Sequence, residues 1–298
     1  MSIPLAYLGV VLIWTTTPIT IKWSGVDVGF LFGISSRMLI ASVVGIALVA
    51  LMRKRLPLHR SALHAYIAVG IPLYTAMMAV YWGAQFIPSG LIAVIFGLTP
   101  LVTGLFAVYF LQEKSFTPFR VLGILLGVGG LAIIFSDSLA LGVNAWMGLV
   151  GVLIAVVFHS LGTVWIKKVS TDISLLSMNT GGTTLATLLF SLTWLFSGAS
   201  LPLHVPTQAA VSIVYLGVVG SVFGAILFYY ALRHVDTGKM AMLTLITPVT
   251  ALLVGNLFNG EVLAPTTLYG TALVVSGLAI YQWASEILRY LNSRVLPQ

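Results

Sequence analysis

Residues 90–113 read GLIAVIFGLTPLVTGLFAVYFLQE, and residues 238–261 read GKMAMLTLITPVTALLVGNLFNGE. Set at an offset of 148, they share Gly90/Gly238, Ala93/Ala241, Thr99/Thr247, Pro100/Pro248, Leu105/Leu253, Phe110/Phe258 and Glu113/Glu261. After a one-residue slip, GLAI at 130–133 meets GLAI at 277–280. Apolar helices match by chance, so the Thr-Pro, Glu and Gly-Leu-Ala-Ile matches carry the weight. Nearer the chain start the offset is about 145, pairing Lys22 with Lys167 and Asp27 with Asp172. The chain reads as a duplication with halves 1–140 and 141–298.

Composition says what each half is built from. Of 298 residues, 59% are hydrophobic and 7% charged, with a mean hydropathy of +1.08. A soluble domain carries about 25% charged residues, so a soluble fold is excluded. Disorder is excluded with it, since disordered chains combine low hydrophobicity with high net charge. A membrane helix needs about 20 apolar residues. Ten such stretches are predicted, near 3–23, 29–51, 63–82, 89–111, 118–136, 144–166, 173–197, 208–230, 237–258 and 266–285. They leave no room for a soluble module. Continuous apolar runs also argue against a β-barrel, whose strands alternate. The expected fold is an all-α integral membrane protein of ten helices, five to each half. An odd count turns the second half upside down, giving the inverted repeat common in secondary transporters.

Placement of charge gives the orientation. With both termini on one side, the connections there hold Arg53, Lys54, Arg55, Arg60, Lys114, Arg120, Lys167, Lys168, Arg233, Lys239, Arg289 and Arg294. The other side keeps Lys22, and Arg37 lies inside helix 2. The positive-inside rule then puts both termini in the cytoplasm. The net charge of +7 is a topology signal, with no nucleic-acid partner implied. The start, MSIPLAYLGVVLIW, lacks a basic n-region and a small-residue cleavage site, so helix 1 is expected to remain as a span. Trp23, Trp82, Trp146, Trp165, Trp194 and Trp283 fall near predicted helix ends, where an aromatic belt belongs, and Trp14 lies mid-helix. The absence of cysteine removes disulfides and thiolate chemistry.

WTTTPITIK at 14–22, the Arg in helix 2, the Thr-Pro and Glu of helices 4 and 9, and the closing Gly-Leu-Ala-Ile runs resemble the drug/metabolite transporter superfamily, EamA type. The resemblance covers nearly the whole chain, with Thr15 standing where the family usually has Gly after Trp. It implies an inner-membrane carrier of amino acids, sugars, nucleosides, drugs or other small metabolites.

Polar side chains in hydrocarbon are costly unless they face the bundle interior, so their clusters predict the cavity. Helix 1 offers Trp14, Thr15, Thr16, Thr17 and Pro18, and helix 2 offers Ser35, Ser36 and Arg37. Their repeat partners are His159 and Ser160 in helix 6, and Asn179 to Thr184 in helix 7. A cavity lined by helices 1, 2, 6 and 7, with walls from 3 and 8, is expected, with these matched positions meeting near mid-depth. Arg37 lies about 12 Å below the outer end of helix 2. Its planar fork suits a carboxylate or phosphate; alternatively it bonds helix-terminal carbonyls or Asp27 and fixes the fold. His159 either binds substrate, carries a proton or is a packed histidine. Trp14, Tyr74 and Tyr215 offer stacking faces, or simply pack. Glu113, Glu261, Asp172 and Asp236 lie at helix ends, so no mid-span carboxylate relay is predicted.

Pro18, Pro72, Pro100 and Pro248 are expected to interrupt helices 1, 3, 4 and 9, with Pro18, Pro100 and Pro248 as hinges. Gly123/Gly127 and Gly220/Gly224 suggest close helix approach inside one bundle. No HExxH, no GxSxG and no mid-span pair of acids is present, so neither an enzyme, a cofactor nor a metal is expected. No helix presents a charged stripe of the kind that selects ions in a channel. The reading is a secondary transporter moving an amino acid or related solute by efflux or exchange. Its partners are the small-molecule substrate, the lipid bilayer and a proton or exchanged solute, and it acts as a monomer or weak dimer.

Overall fold

The protein is described by a computed structural model covering residues 3–112, 117–136, 143–169, 173–234 and 237–295. Glu113, Lys114, Asp172, Asp236 and the boundary between the halves lie outside these residues. The described residues form ten membrane helices. Helices 1 to 3 span Ile3–Trp23, Phe30–Leu51 and Arg60–Gly83. Helix 4 is split into Ser89–Phe96 and Thr99–Leu111, and helices 5 to 7 span Pro118–Ser136, Ala145–Lys168 and Leu175–Ser197. Helix 8 runs as Thr207–Tyr215, a π-helical stretch Leu216–Phe223 and Gly224–His234, before helix 9 at Thr237–Asn259 and helix 10 at Pro265–Val295. A chain so poor in polar partners has to satisfy its backbone within each helix once water is excluded. Seven of the helices are long and apolar enough to cross a membrane on that ground alone. Helix 7, with Asn179 and a run of threonines and glycines, is not one of the seven.

Neighbouring helices close a ring in the order 1, 9, 4, 6, 3, 7, 2, 8, while helices 5 and 10 pack on each other beside it. Exchanging each helix for the one five places away leaves this set of contacts unchanged. That is the signature of a twofold relation between the repeats. Helices 5 and 10 show it at single-residue level. A Cβ added at Gly123 would sit 2.6 Å from Gly277 O, and one at Gly130 would sit 2.5 Å from Gly270 O. Shifting by 147 residues turns the first pair into the second. The glycines predicted for close approach at 123 and 127 therefore serve packing inside one chain.

The prolines behave differently from expectation. Helices 1, 3 and 9 run unbroken through Pro18, Pro72 and Pro248. Only helix 4 breaks, at Gly97–Leu98, just before Pro100. Threonine hydroxyls beside these prolines bond back one turn, Thr17 to Ile13 O, Thr75 to Ile71 O and Thr250 to Ile246 O. These are not the carbonyls that lose an N–H donor to the prolines, which are those four residues before each, at Trp14, Ala68 and Thr244.

Short connections make successive helices antiparallel, so helix ends gather at two faces. The face with the exposed Arg53, Lys54 and Arg55 is called the basic face here. At the far face the ring is packed shut by Ile21, Ile34, Val80, Leu91, Ile92 and Leu149, which form one buried cluster.

Candidate functional site

The far face is also tied by hydrogen bonds. Glu261, in the turn after helix 9, is buried and accepts from Ser89 N at 2.8 Å, Ser89 Oγ at 3.0 Å and Gly90 N at 3.2 Å. Asn259 Nδ2 donates to the same carboxylate at 2.9 Å, and Lys22 Nζ lies 4.0 Å from it while donating to Ile87 O. A carboxylate on the first N–H groups of helix 4 satisfies donors that the helix cannot. One residue thus joins the ends of helices 1, 4 and 9. Glu113 is its repeat counterpart.

Below this seal lies Arg37. Leu39, Val43 and Ile46 are exposed and mark the lipid face of helix 2, and Arg37 is on the opposite side with 6% of its surface exposed. Nε donates to Ser221 Oγ at 3.1 Å, and Nη1 donates to Tyr81 Oη at 3.2 Å. The guanidinium also sits 5.9 Å from the centre of the Tyr81 ring. Neither Asp27 nor a helix-terminal carbonyl is its partner, in contrast to the structural reading. Among the described residues no carboxylate pairs with it, the one ion pair being Lys22–Glu261. Both partners are neutral hydroxyls, so the charge stays uncompensated. Ser221 reaches it from the π-helical stretch of helix 8, a distortion frequent at functional sites.

The other predicted residues divide. On helix 1, exposed Leu5, Leu8 and Leu12 mark the lipid face, and the 100° per residue of an α-helix puts Trp14 and Thr17 on the opposite, interior side. Trp14 stacks on Phe228 with centroids 5.1 Å apart. Thr15, standing at the family's glycine, bonds Thr250 of helix 9 at 2.7 Å. Tyr215 shares a 2.7 Å hydrogen bond with Thr16 and so joins helices 8 and 1. Tyr74 bonds Thr193 at 2.6 Å and lies edge-on to Phe190, on the wall of a groove of about 460 Å³ between helices 3 and 7. Asn179 lines a cavity of about 450 Å³ at the basic face, with Lys54, Ser174, Ile226 and Tyr230.

His159 is exposed and lies 6.1 Å from the Phe96 ring. Val150 and Ile154 lie on the lipid face of helix 6, and His159 and Thr163 are each nine residues further, two and a half turns, on the opposite side. Exposure on both sides of one helix means that its inner side borders open space too. Trp14 and His159 do not meet, because helices 1 and 6 are not neighbours in the ring. Helices 2 and 7 do meet, through Ser42–Thr184 and Thr187–Met38 O. Ser221 and Tyr81, the partners of Arg37, were not legible in the sequence: an apolar helix with two serines gives no sign of which one points at a given neighbour.

Comparison with known proteins agrees with this frame. The EamA-like transporter family model matches residues 1–136 and 146–282. The uncharacterized transporter YoaV of Bacillus subtilis is 24% identical over 281 residues, covering 93% of this chain and 96% of its own. A probable terminal-alkyne amino-acid exporter of Streptantibioticus cattleyicolor is 25% identical over 216 residues, 72% of this chain and 70% of that protein. The inner membrane transporter YedA of Escherichia coli is 23% identical over 251 residues, 82% and 78% of the two chains. One solved crystal structure superposes with a TM-score of 0.65 at 19% identity, covering 96% of this chain and 99% of the other, a likeness of fold alone.

Proposed function

The chain belongs to the EamA-like transporter family, a family of multi-span membrane proteins, and from that premise we propose that it carries a small carboxylate-bearing metabolite, an amino acid or related organic solute, by alternating access. The observation that carries the reading is Arg37, a buried cation facing two hydroxyls and, among the described residues, no acid. A charge held in a low-dielectric wall needs an opposite charge, and here the arriving substrate supplies it. The ring of eight helices provides the walls, and Trp14, Thr17, Asn179, Tyr215 and His159 line the path, with Tyr74 bracing helix 3 against helix 7. The packed far face and the accessible inner side of helix 6 favour a state open to the basic face. On the positive-inside argument that face is cytoplasmic. The helices of residues 1–140 and 141–298 alternate around the ring, so the units that rock are mixed groups of helices from both halves, bending at Pro18, Pro100 and Pro248. Transport outward, by export or exchange, agrees with the exporter among the relatives.

The test is counterflow with purified protein in liposomes, using panels of amino acids, nucleosides, sugars and organic anions. Saturable exchange of a carboxylate, abolished by Arg37→Gln in a protein that still purifies as a single species, is the expected result. Linear, unsaturable flux would make the protein a passive channel, and exchange untouched by Arg37→Gln would remove the carboxylate.

A further inference from the structure

We propose that Gly220 is the specificity-determining neighbour of Arg37, holding open a seat for the carboxylate head of the substrate; the inference rests on Arg37 being the anion anchor. Three observations meet at this point. First, Nε and Nη1 are used by Ser221 and Tyr81, whereas Nη2 has no hydrogen bond and is not among the buried polar atoms sealed from solvent. Second, each of the two hydroxyls accepts from the guanidinium and has its own hydrogen uncommitted among the described residues. The groups converging here are therefore donors without an acceptor, the arrangement that binds an anion. Third, a Cβ added at Gly220 would meet only Leu216 Cδ2 at 3.5 Å and Arg37 Nη2 at 4.0 Å.

The third observation separates Gly220 from its neighbours. At Gly217 an added Cβ would lie 2.8 Å from Ile40 Cγ2 and 3.1 Å from Arg37 O, so packing of helix 8 on helix 2 requires that glycine. At Gly224 it would lie 3.3 Å from Ile13 Cγ2 of helix 1. The pair 220/224, expected to serve close approach, thus does so only at 224. Gly220 leaves room for a methyl group beside a cationic nitrogen that has no hydrogen bond. The π-helical turn, with one more residue per turn than needed for an α-helical repeat, presents Gly220 and Ser221 together to helix 2.

The seat also selects by charge. Arg37 brings one positive charge, which a monoanionic carboxylate neutralises. A phosphate monoester, at about −1.5 to −2, would leave the seat net negative within the membrane.

The 298-residue chain has no cysteine, so Gly220→Cys gives a single labelling site. In liposomes it is expected to react with an anionic methanethiosulfonate about tenfold or more faster than with a cationic one, because the neighbouring charge attracts the first and repels the second. Adding Arg37→Gln is expected to collapse that ratio, and benzoate or L-phenylalanine to slow the reaction. Absence of labelling, or a ratio indifferent to Arg37, overturns the seat. Gly220→Ala adds a methyl that makes only ordinary contacts, so it is expected to fold normally and weaken benzoate binding about tenfold, read from ligand-dependent melting temperature. If wild type and Gly220→Ala bind benzoate equally and Arg37→Gln does not, Gly220 loses its role and the anchor stands. If neither carboxylate is felt by the wild type, the anchor falls as well.

Discussion

Arg37 brings the largest electrostatic cost in the described membrane interior, and its two neutral partners set what its removal does. Arg37→Gln keeps a donor for Ser221 or Tyr81 while deleting the charge, so the fold is expected to survive. Loss of one charged hydrogen bond costs about 1.5–3 kcal/mol, or roughly ten- to a hundredfold in substrate affinity, read by counterflow half-saturation. Arg37→Lys retains charge without the fork and is expected to restore only part of that affinity. Gly182, the repeat counterpart of Arg37, has no side chain and packs against Val69, so the duplicated frame contains this cation once. His159 stands apart from it, near Phe96, on the accessible inner side of helix 6. If His159 couples protons, His159→Ala abolishes flux driven by a pH gradient and spares substrate exchange. Gradient-driven flux that persists in His159→Ala would end that role.

At the scale of elements, the seal of the far face is the junction of helices 1, 4 and 9 on Glu261. Removing one side of a buried charged junction costs about 3–5 kcal/mol, so Glu261→Ala is expected to lower the melting temperature markedly, with Glu261→Gln milder. Gly255 checks the geometry independently. A Cβ there would collide with Glu261 Oε2 and lie 2.9 Å from Ser89 Oγ. Gly255→Ala should therefore displace the carboxylate and lower the melting temperature in the same direction as Glu261→Ala. A Gly255→Ala protein as stable as wild type would show that the junction does not hold the face. The repeat-related prolines show that equal sequence need not give equal shape: helix 4 breaks at Gly97–Leu98 and helix 9 stays whole. At Gly97 and Leu98 the backbone keeps helical dihedrals, with Gly97 N on Ala93 O and Val94 O and Leu98 N on Ile95 O, so the break is a tightened turn before Pro100 that helix 9 does not make.

At the scale of the whole molecule, orientation is the property most directly testable. Ser61 is exposed in the first turn of helix 3 at the basic face, and Leu203 is fully exposed between helices 7 and 8 at the far face. Ser61→Cys is expected to react with an impermeant thiol reagent only from the cytoplasm, and Leu203→Cys only from outside. The reverse pattern would invert the assignment. Ser89, at the far-face start of helix 4, is unsuited to this use because it is wholly buried under Glu261.

The ten helices, the duplication and, apart from helix 10, which runs to Val295 where 285 is predicted, the helix ends to within a few residues were legible in the sequence, because each depends on local quantities: apolar length, charge placement and self-similarity at a fixed offset. Arg37 was legible for the same reason, as a charge where hydrocarbon penalises one. Its partners were not. Tyr81 and Ser221 lie 44 and 184 residues away in sequence, and only the ring order brings helices 3 and 8 to helix 2. Whether a glycine is for packing or for space is likewise invisible in a one-dimensional pattern. Gly217 and Gly220 are the same residue three positions apart, and only what stands opposite each one decides its use. Sequence determined what must be buried in the bilayer and how often; tertiary structure decided which polar groups face one another, since that depends on helix rotation and neighbour identity.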